Sequence, residues 1–195
     1  MIHYSDTPQG TEEWLAERSG LITASDFAIA MGKGVTRQKL LHKKRAERRT
    51  GVVSQGFKSP AMQHGNDTEP LARAWAAWEL NKDIVEVGLA TNDALPGLGA
   101  SLDGLIGDNI GFECKCPMPA THDEYLLKGR LPAIYKWQVY GQMLVCDLEG
   151  VWFCSYDPND TEQLLVYIPR DEKMIDLLKD GLDKFLSDLH EMESK

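Results

Sequence analysis

The sequence lacks the features that mark membrane, secreted or repetitive proteins. No apolar run approaches the roughly 20 residues that a membrane-spanning helix needs. The start, MIHYSDTPQG, has no basic segment followed by an apolar one, as a signal peptide would have. There is no internal repeat and no low-complexity segment. The 195 residues, of which 43% are hydrophobic, therefore predict a single cytoplasmic domain covering residues 1–195.

Cysteine is also scarce, and its spacing does not suit a zinc site. Cys114 and Cys116 form a C-x-C pair, while Cys146 and Cys154 stand alone. Structural zinc sites use paired C-x2-C or Cys/His spacings. Because thiols stay reduced in the cytoplasm, the pattern favours buried free thiols.

Positive charge is in deficit, with a net charge of −9 and a pI of about 5.0. This balance argues against a protein that binds nucleic acid over its whole surface, although a local basic channel stays open. The basic residues concentrate in RQKLLHKKRAERR, residues 37–49. This run is either a solvated helix face or part of a path for nucleic acid.

Hydrophobic periodicity predicts a helical first part and a mixed second part. The predicted helices are residues 11–20, a helix beginning near Ala24, residues 37–49, residues 61–80, the segment PAIYKWQVYGQMLVC and the segment DEKMIDLLKDGLDKFLSDLHEME. The predicted strands are IVEVGLAT, LGASLDGLIGD, IGFECKCP, GVWFCSYD and QLLVYIP. This order predicts an α/β protein with a mixed sheet flanked by helices.

One predicted hairpin, SLDGLIGDNIGFECK, carries charges in an apolar setting. Because alternate side chains of a strand share a face, Glu113 and Lys115 point one way and Phe112 and Cys114 the other. Asp103 lies on the preceding strand across a short turn. We therefore expect Asp103 and Glu113 to converge, with Lys115 beside them.

Two interpretations of these charges are open. Neighbouring carboxylates repel each other unless a positive charge lies between them, and Mg²⁺ commonly uses one or two carboxylates together with a substrate phosphate. A metal and a lysine at one point suit metal-assisted phosphodiester hydrolysis. The alternative is a surface hairpin with an ordinary cross-strand salt bridge.

Three further segments bear on this choice: WLAERSGLITAS, HGNDTEP and WQVYGQM. With the hairpin, in this order and spacing, they resemble the lambda-type exonuclease family of viral alkaline exonucleases and YqaJ-like prophage recombinases. That family lies within the PD-(D/E)XK nucleases. The resemblance runs from about Trp14 to Asp157 and implies a restriction-endonuclease-like PD-(D/E)XK core. The proline of the family motif is Leu102 here, at a variable position.

The resemblance implies a set of catalytic residues: Glu69, Asp103, Glu113, Lys115 and Gln138. Asp103, Glu113 and the backbone carbonyl of Cys114 would bind the metal, and Glu69 would assist at a second ion. Lys115 would be the catalytic lysine, and Gln138 would support the site. The implied cofactor is two Mg²⁺ ions, with Mn²⁺ as a substitute.

The resemblance also implies a pocket for a 5′-terminal phosphate made by Arg18, Ser25 and Ser101. An arginine fork and a helix N-terminus both suit phosphate. The alternative is that Arg18 is a helix C-terminal charge and Ser25 a neighbour of a cap. Further DNA contacts are expected from a small basic set: Lys33, Arg37 and Arg45.

The implied function is a 5′-to-3′ exonuclease acting on double-stranded DNA ends, which leaves 3′ overhangs for recombination by strand annealing. The family further implies a ring-shaped homotrimer and a single-strand annealing protein as partner, with no role for a membrane. Two alternatives remain: a structure-specific or restriction-type endonuclease on the same fold, and a non-catalytic module that binds DNA ends.

Overall fold

The computed structural model describes residues 1–53 and 59–195. The strands are β1 (Ile2–Tyr4), β2 (Ile22–Thr23), β3 (Leu89–Asn92), β4 (Leu98–Ser101), β5 (Gly104–Ile106), β6 (Ile110–Lys115), β7 (Gly150–Ser155) and β8 (Leu164–Pro169). The helices are α1 (Glu12–Glu17), α2 (Phe27–Ala30), α3 (Val35–Thr50), α4 (Pro60–Leu80), α5 (Pro119–Lys128), α6 (Lys136–Cys146) and α7 (Glu172–Glu193). In this part of the chain no helix is long and apolar enough to cross a membrane.

The strands form two four-stranded mixed sheets with helices packed against them. The first sheet has the order β1-β3-β4-β2 and the second the order β5-β6-β7-β8. The β2–β4 and β6–β7 pairs are parallel, and the other pairs are antiparallel. The predicted fold class, a mixed α/β arrangement flanked by helices, is confirmed.

The predicted strand LGASLDGLIGD is wrong as a single element, because it contributes β4 to one sheet and β5 to the other. The chain crosses between the sheets at Leu102 and Asp103. Gly104 permits the crossing, since a Cβ there would lie 2.3 Å from Cγ2 of Ile84. The crossing leaves Asp103 at the start of β5 rather than within a continuous hairpin strand.

The main core lies between α6, α7 and the sheets. The sequence pattern predicts that the core stripe of α7 consists of Met174, Leu178, Leu182, Phe185 and Leu189. The last four are buried, whereas Ile175 is buried in place of Met174. Helix α6 approaches α2 so closely that a Cβ on Gly141 would lie 2.3 Å from Cδ2 of Phe27. This contact holds α6 against the inner side of the molecule, where its polar residues face β4 and β6.

Helix α4 packs against the second sheet through small residues. Its buried positions are Thr68, Ala72 and Ala76, spaced four apart, while Leu71 is 52% and Trp78 is 77% exposed. The sequence pattern predicts Leu71, Trp75 and Trp78 on one side of this helix, but the small residues of a neighbouring side are the ones that let the helix lie close to the sheet. Pro70 lies inside the helix rather than in its first turn.

The sequence predicts two local capping signals, Thr11 as an N-cap and Thr23 with Asp26 as a capping box, and both are confirmed. Thr11 caps α1 by accepting a hydrogen bond from the Trp14 N–H. Thr23 and Asp26 form a capping box, which starts a short 3₁₀ turn that leads into α2. The elements β1, β2 and α5 were not predicted, because each is short or lacks a clear periodic pattern.

Candidate active site

The carboxylate of Asp103 is held by the neighbouring strand β6. Its Oδ2 accepts a hydrogen bond of 2.8 Å from the Cys114 backbone N–H. Strand β5 pairs with β6 only as far as Phe112, so the edge beyond that residue is free for the side chain. Because the N–H and carbonyl of one strand residue point to the same edge, the Cys114 carbonyl is directed to the Asp103 side.

Glu113 and Lys115 share a face of β6, as alternation predicted, and their side chains form an ion pair. Phe112 and Cys114 lie on the opposite face, in the apolar cluster beneath α4. The Glu113 side chain is only 1% exposed. A surface salt bridge is therefore not the explanation of this pair, because surface pairs remain hydrated.

Two amides of α6 hold the Glu113 carboxylate from the other side. Gln138 Nε2 donates to Glu113 Oε1 at 2.6 Å, and Gln142 Nε2 donates to Glu113 Oε2. The structure thus brings the predicted Gln138 to the site. Gln142 was not predicted as a site residue, although its spacing of four from Gln138 places both on one helix face.

Glu69 approaches the same region from α4. A cavity of about 360 Å³, here called the carboxylate cavity, is lined by Glu69, Asp103, Cys114, Lys115 and Tyr135 together with residues 61, 62, 65, 66, 116 and 117. The Glu69 carboxylate is held 2.9 Å from Nη2 of Arg73, whose other amino group pairs with Glu86. The predicted residues Glu69, Asp103 and Lys115 therefore converge on one cavity, and Glu69 is paired with Arg73 of the same helix.

The carboxylates carry strongly perturbed acidities. The pKa of Asp103 is raised to about 6, chiefly by burial; the Lys115 charge opposes the shift and the Glu69 charge adds to it. Burial and the charge of Asp103 raise the pKa of Glu113 to about 7. Burial lowers the pKa of Lys115, but Glu113 and Asp103 outweigh it and raise the pKa above its ordinary value. The lysine is therefore charged at neutral pH.

Within residues 1–53 and 59–195, no group of three or more His, Cys, Asp or Glu side chains is arranged to hold a metal ion. Two of the predicted metal-binding carboxylates instead have protein partners: Glu113 is held by Lys115 and two amides, and Glu69 is held by Arg73. The predicted donors still suit a hard cation, since they are carboxylates and the Cys114 carbonyl, all oxygen ligands. The raised pKa values of Asp103 and Glu113 reflect negative charges that a cation would stabilise. The four cysteines are buried free thiols, as predicted.

A second, smaller cavity surrounds Arg18, and we call it the arginine cavity. Its volume is about 180 Å³, and Arg18, Thr23, Ser25, Ser101, Asp103 and Gln138 line it with Gln9 and Trp14. Arg18 donates from Nη1 to Ser101 Oγ at 2.8 Å and from Nη2 to Thr23 Oγ1 at 3.0 Å. The Thr23 and Ser25 hydroxyl oxygens lie 3.1 Å apart. The three predicted pocket residues therefore meet, and Thr23 joins them.

Arg18 is a cation without a carboxylate partner among the described residues. Its guanidinium stacks on Trp14, 4.1 Å from the ring centroid. Burial lowers its pKa, although Asp26 and Glu47 partly offset this. Arg18 is the C-cap residue of α1, as the alternative supposed, but its side chain turns into the cavity. A half-buried cation whose side chain donates only to hydroxyls suits an anionic ligand.

Helix α3 supports the arginine cavity from behind. Lys44 Nζ lies 3.2 Å from Asp26 Oδ2 and 3.1 Å from Glu47 Oε2. Asp26 accepts from the Thr23 hydroxyl at 3.3 Å, and Glu47 accepts from the Gly20 N–H at 3.3 Å. Lys44 and Glu47 are buried. Lys44, one residue of the basic run, therefore stabilises the fold through buried ion pairs. The charge pattern of the run alone did not predict this role.

The predicted DNA contacts are less well supported. Arg37 Nη2 pairs with Asp188 Oδ2 at 2.7 Å, and Arg37 Nε donates to the Ala30 carbonyl. These contacts commit Arg37 to the packing of α3 on α7 and argue against a role in DNA contact. Lys33 is exposed and Arg45 is half-buried, and neither is among the residues that line the two cavities.

The chain resembles known proteins over nearly its whole length. The alkaline exonuclease from Laribacter hongkongensis is 35% identical, with a TM-score of 0.88 and coverage of 94% of this chain and 95% of that one. Its complex with dAMP superposes with a TM-score of 0.89 at the same identity and coverage.

A phage-related exonuclease from Haemophilus somnus 129PT is 15% identical, with a TM-score of 0.70 and coverage of 89% and 95%, and shares the fold. No curated protein sequence matches the chain. The model of the YqaJ-like viral recombinase domain matches residues 13–149. This chain therefore belongs to the family of YqaJ-like viral recombinase domains.

Proposed function

We propose that this chain is a Mg²⁺-dependent exonuclease that acts on double-stranded DNA ends and degrades the strand carrying the 5′ end. The observation that carries the proposal is that the two cavities adjoin each other at one residue. Asp103 lines both the carboxylate cavity and the arginine cavity. A terminal phosphate bound at Arg18 would therefore lie next to the residues that act on a phosphodiester.

The chain is a nuclease, and its phage-type exonuclease character follows from its family and from 35% identity to an alkaline exonuclease over 94% of its length. The proposed details are the ion, the polarity and the product. The arrangement of Asp103, Glu113 and Lys115 supports a PD-(D/E)XK nuclease core. The Laribacter enzyme has been solved with dAMP, a mononucleotide of the kind that an exonuclease releases.

Asp103, Glu113, Glu69 and the Cys114 carbonyl are the groups that would hold two Mg²⁺ ions, with Mn²⁺ as a substitute. A bound ion lowers the pKa of water and stabilises charge on the attacking and leaving oxygens. The Lys115 ammonium, charged at neutral pH and facing the cavity, would bind a phosphate oxygen or orient the attacking water. Gln138 holds the Glu113 carboxylate by the bond described above.

The chemistry of the arginine cavity supports the proposed polarity. A 5′-terminal phosphate is close to a dianion at neutral pH, and a guanidinium fork with two hydroxyls can bind it at several oxygens. Hydrolysis that breaks the P–O3′ bond leaves a new 5′-phosphate on the shortened strand. Each cycle would thus regenerate the group that Arg18, Ser25 and Ser101 bind, and the opposite strand would remain as a 3′ overhang.

The closest alternative is an endonuclease on the same fold. An endonuclease substrate continues through the site and presents no terminal dianion. A half-buried arginine that, within the described residues, donates only to side-chain hydroxyls therefore favours the exonuclease. A non-catalytic module that binds ends would have little use for a buried lysine–glutamate pair, whose desolvation is costly.

The experiment that tests the proposal is digestion of a linear duplex labelled at the 5′ or the 3′ end, with Mg²⁺ and with EDTA. Early release of the 5′ label as a small product, only with Mg²⁺, is the expected result. Internal fragments would favour the endonuclease, and intact DNA with measurable binding would favour the module.

We further propose that the protein works as a ring-shaped homotrimer with a single-strand annealing protein as partner in recombination. A ring reconciles a net charge of −9 with a DNA substrate, because the inner surface can be basic while the outer one is acidic. The exposed Leu71 and Trp78 of α4 provide apolar surface that a subunit contact would bury. Mass determination by light scattering, for wild type and Trp78→Ser, tests the assembly.

A further inference from the structure

One fully buried side chain on α6, Gln142, bonds both to Ser101 of the arginine cavity and to Glu113, the ion-pair partner of Lys115 in the carboxylate cavity. Gln142 donates from Nε2 to the Ser101 carbonyl at 3.0 Å and also to Glu113 Oε2. Ser101 ends β4 in the first sheet, and Glu113 lies in β6 of the second sheet. The amide therefore joins the two sheets beside the crossing at Asp103.

The two acceptors lead to different parts of the site. The hydroxyl of Ser101 accepts a hydrogen bond of 2.8 Å from Nη1 of Arg18. The position of the Ser101 backbone therefore determines where this hydroxyl lies in the arginine cavity. Glu113 is the ion-pair partner of Lys115, which lines the carboxylate cavity. Gln142 itself lines neither cavity and would touch no substrate. Any effect it has must act through Ser101 and Glu113.

The amide of Gln142 is held at a cost to stability. Its Oε1 is buried and accepts no hydrogen bond from any residue in the described part of the chain. A buried polar atom without a partner lowers the stability of the fold, and an apolar side chain of similar size would avoid this loss. The opposite amide orientation would turn the oxygen against two other oxygens, so the donor positions are determined by the surroundings.

We infer that Gln142 is a positioning residue that sets the separation between the arginine cavity and the carboxylate cavity. This inference rests on the proposed function and deepens it. A 5′-terminal phosphate bound at Arg18 places the next phosphodiester at the reacting groups only if the two cavities lie at the right distance from each other. A misplacement of about 1 Å can lower a rate by roughly a hundredfold. Gln142 would thus help to fix the position of cleavage at a set distance from the 5′ end of the strand.

The test compares wild type with Gln142→Met, which keeps the side-chain volume and removes both hydrogen bonds. Affinity is measured in EDTA by fluorescence anisotropy for duplexes that differ only in a 5′-phosphate or a 5′-hydroxyl. We expect the preference for the phosphate to fall roughly fivefold, the effect of losing one hydrogen bond. The initial cleavage rate with Mg²⁺ should fall at least about tenfold, because a charge-assisted bond to Glu113 is lost as well.

Val139→Ala is the matched control for loss of stability. Val139 is buried on the same helix and belongs to the apolar core. Its truncation should lower the melting temperature and leave the phosphate preference at the wild-type value. If Gln142→Met does not fold, Gln142→Asn, which is too short to reach both acceptors, takes its place in the same measurements.

A folded Gln142 variant with the full wild-type preference, beside an Arg18→Ala variant that has lost it, would overturn the inference while the proposed function stands. Equal affinity of the wild type for both DNA ends would instead overturn the phosphate pocket, and the inference with it.

Discussion

The Asp103 carboxylate and the Cys114 backbone N–H are joined by a hydrogen bond of 2.8 Å. This bond ties the crossing between the two sheets to the strand that carries Glu113 and Lys115. The position of Asp103 is therefore fixed by a hydrogen bond to the backbone as well as by nearby charges. The site is thus formed before any ligand binds. A preorganised site of this kind makes single substitutions informative.

The first prediction concerns the two carboxylates. Asp103→Asn and Glu113→Gln keep the side-chain shapes and remove the charges that a divalent cation needs. We expect each to lower Mg²⁺-dependent cleavage at least about a hundredfold with the fold intact, because catalytic electrostatic groups contribute on this scale. Asp108→Asn, in the exposed turn of the same hairpin, is the control. Wild-type turnover by either site variant would contradict the metal assignment.

The second prediction concerns Lys115. Lys115→Met should bind duplex DNA with nearly wild-type affinity and lose cleavage, since the proposed role of the ammonium is to act on the water or phosphate rather than to anchor the duplex. Lys128→Met removes an exposed ion pair with Glu124 and should change neither property. Binding is followed by anisotropy in EDTA and cleavage by gel assay. A Lys115→Met variant that cuts normally would restore the salt-bridge interpretation.

The third prediction concerns pH and the metal-free protein. The pKa of Glu113 rises from 4.5 to about 7 and that of Asp103 from 3.8 to about 6 in the folded protein. A carboxyl with a raised pKa favours the fold while it is protonated, and this contribution is lost as the pH rises from the unfolded to the folded pKa. The raised pKa of Lys115 keeps that group charged throughout this range.

The melting temperature in EDTA should therefore fall between about pH 4 and pH 7, and the free energy of unfolding should fall by a few kcal/mol over this range. Glu113→Gln should flatten this dependence. Added Mg²⁺ should raise the melting temperature most at the alkaline end, because cations bind the deprotonated carboxylates. A melting temperature that is independent of pH in EDTA would contradict the acidities described for the site.

The fourth prediction concerns the strand end. Wild type should digest a duplex with 5′-phosphate ends faster than one with 5′-hydroxyl ends, and Arg18→Ala should remove most of the difference. Arg18→Lys should restore it only in part, since an ammonium keeps the charge and loses the planar fork. Initial rates on both substrates give the answer. Equal wild-type rates would shift the choice to the endonuclease.

The fifth prediction separates the roles within the basic run. Joint neutralisation of the exposed or half-buried Lys43, Arg45 and Arg49 should affect cleavage less than Arg18→Ala does. Lys44→Met should instead destabilise the fold by about 3–5 kcal/mol, because it leaves Asp26 and Glu47 without their buried partner. Thermal unfolding and rates on phosphorylated ends check both statements. If the triple variant alone abolishes DNA binding, α3 lies along the DNA path.

Some features follow from the sequence itself, because they depend on residues that are close along the chain. The alternation in FECKC was enough to put Glu113 and Lys115 on one face and Phe112 and Cys114 on the other. The capping residue Thr11 and the spacing of the α7 core positions are local in the same sense. The family segments also predicted that Arg18, Ser25 and Ser101 would meet, although local physics alone left that open.

Other features were decided only by the tertiary structure, because they depend on contacts between residues far apart in sequence. The strand pattern through Asp103 gave no sign that the chain would change sheets there, since close packing of Ile84 on Gly104 selects the crossing. The buried partners of Lys44 and the bonds of Gln142 to Ser101 and Glu113 are likewise set by how helices lie on strands. A sequence pattern specifies which face a side chain is on, whereas packing decides what that face meets.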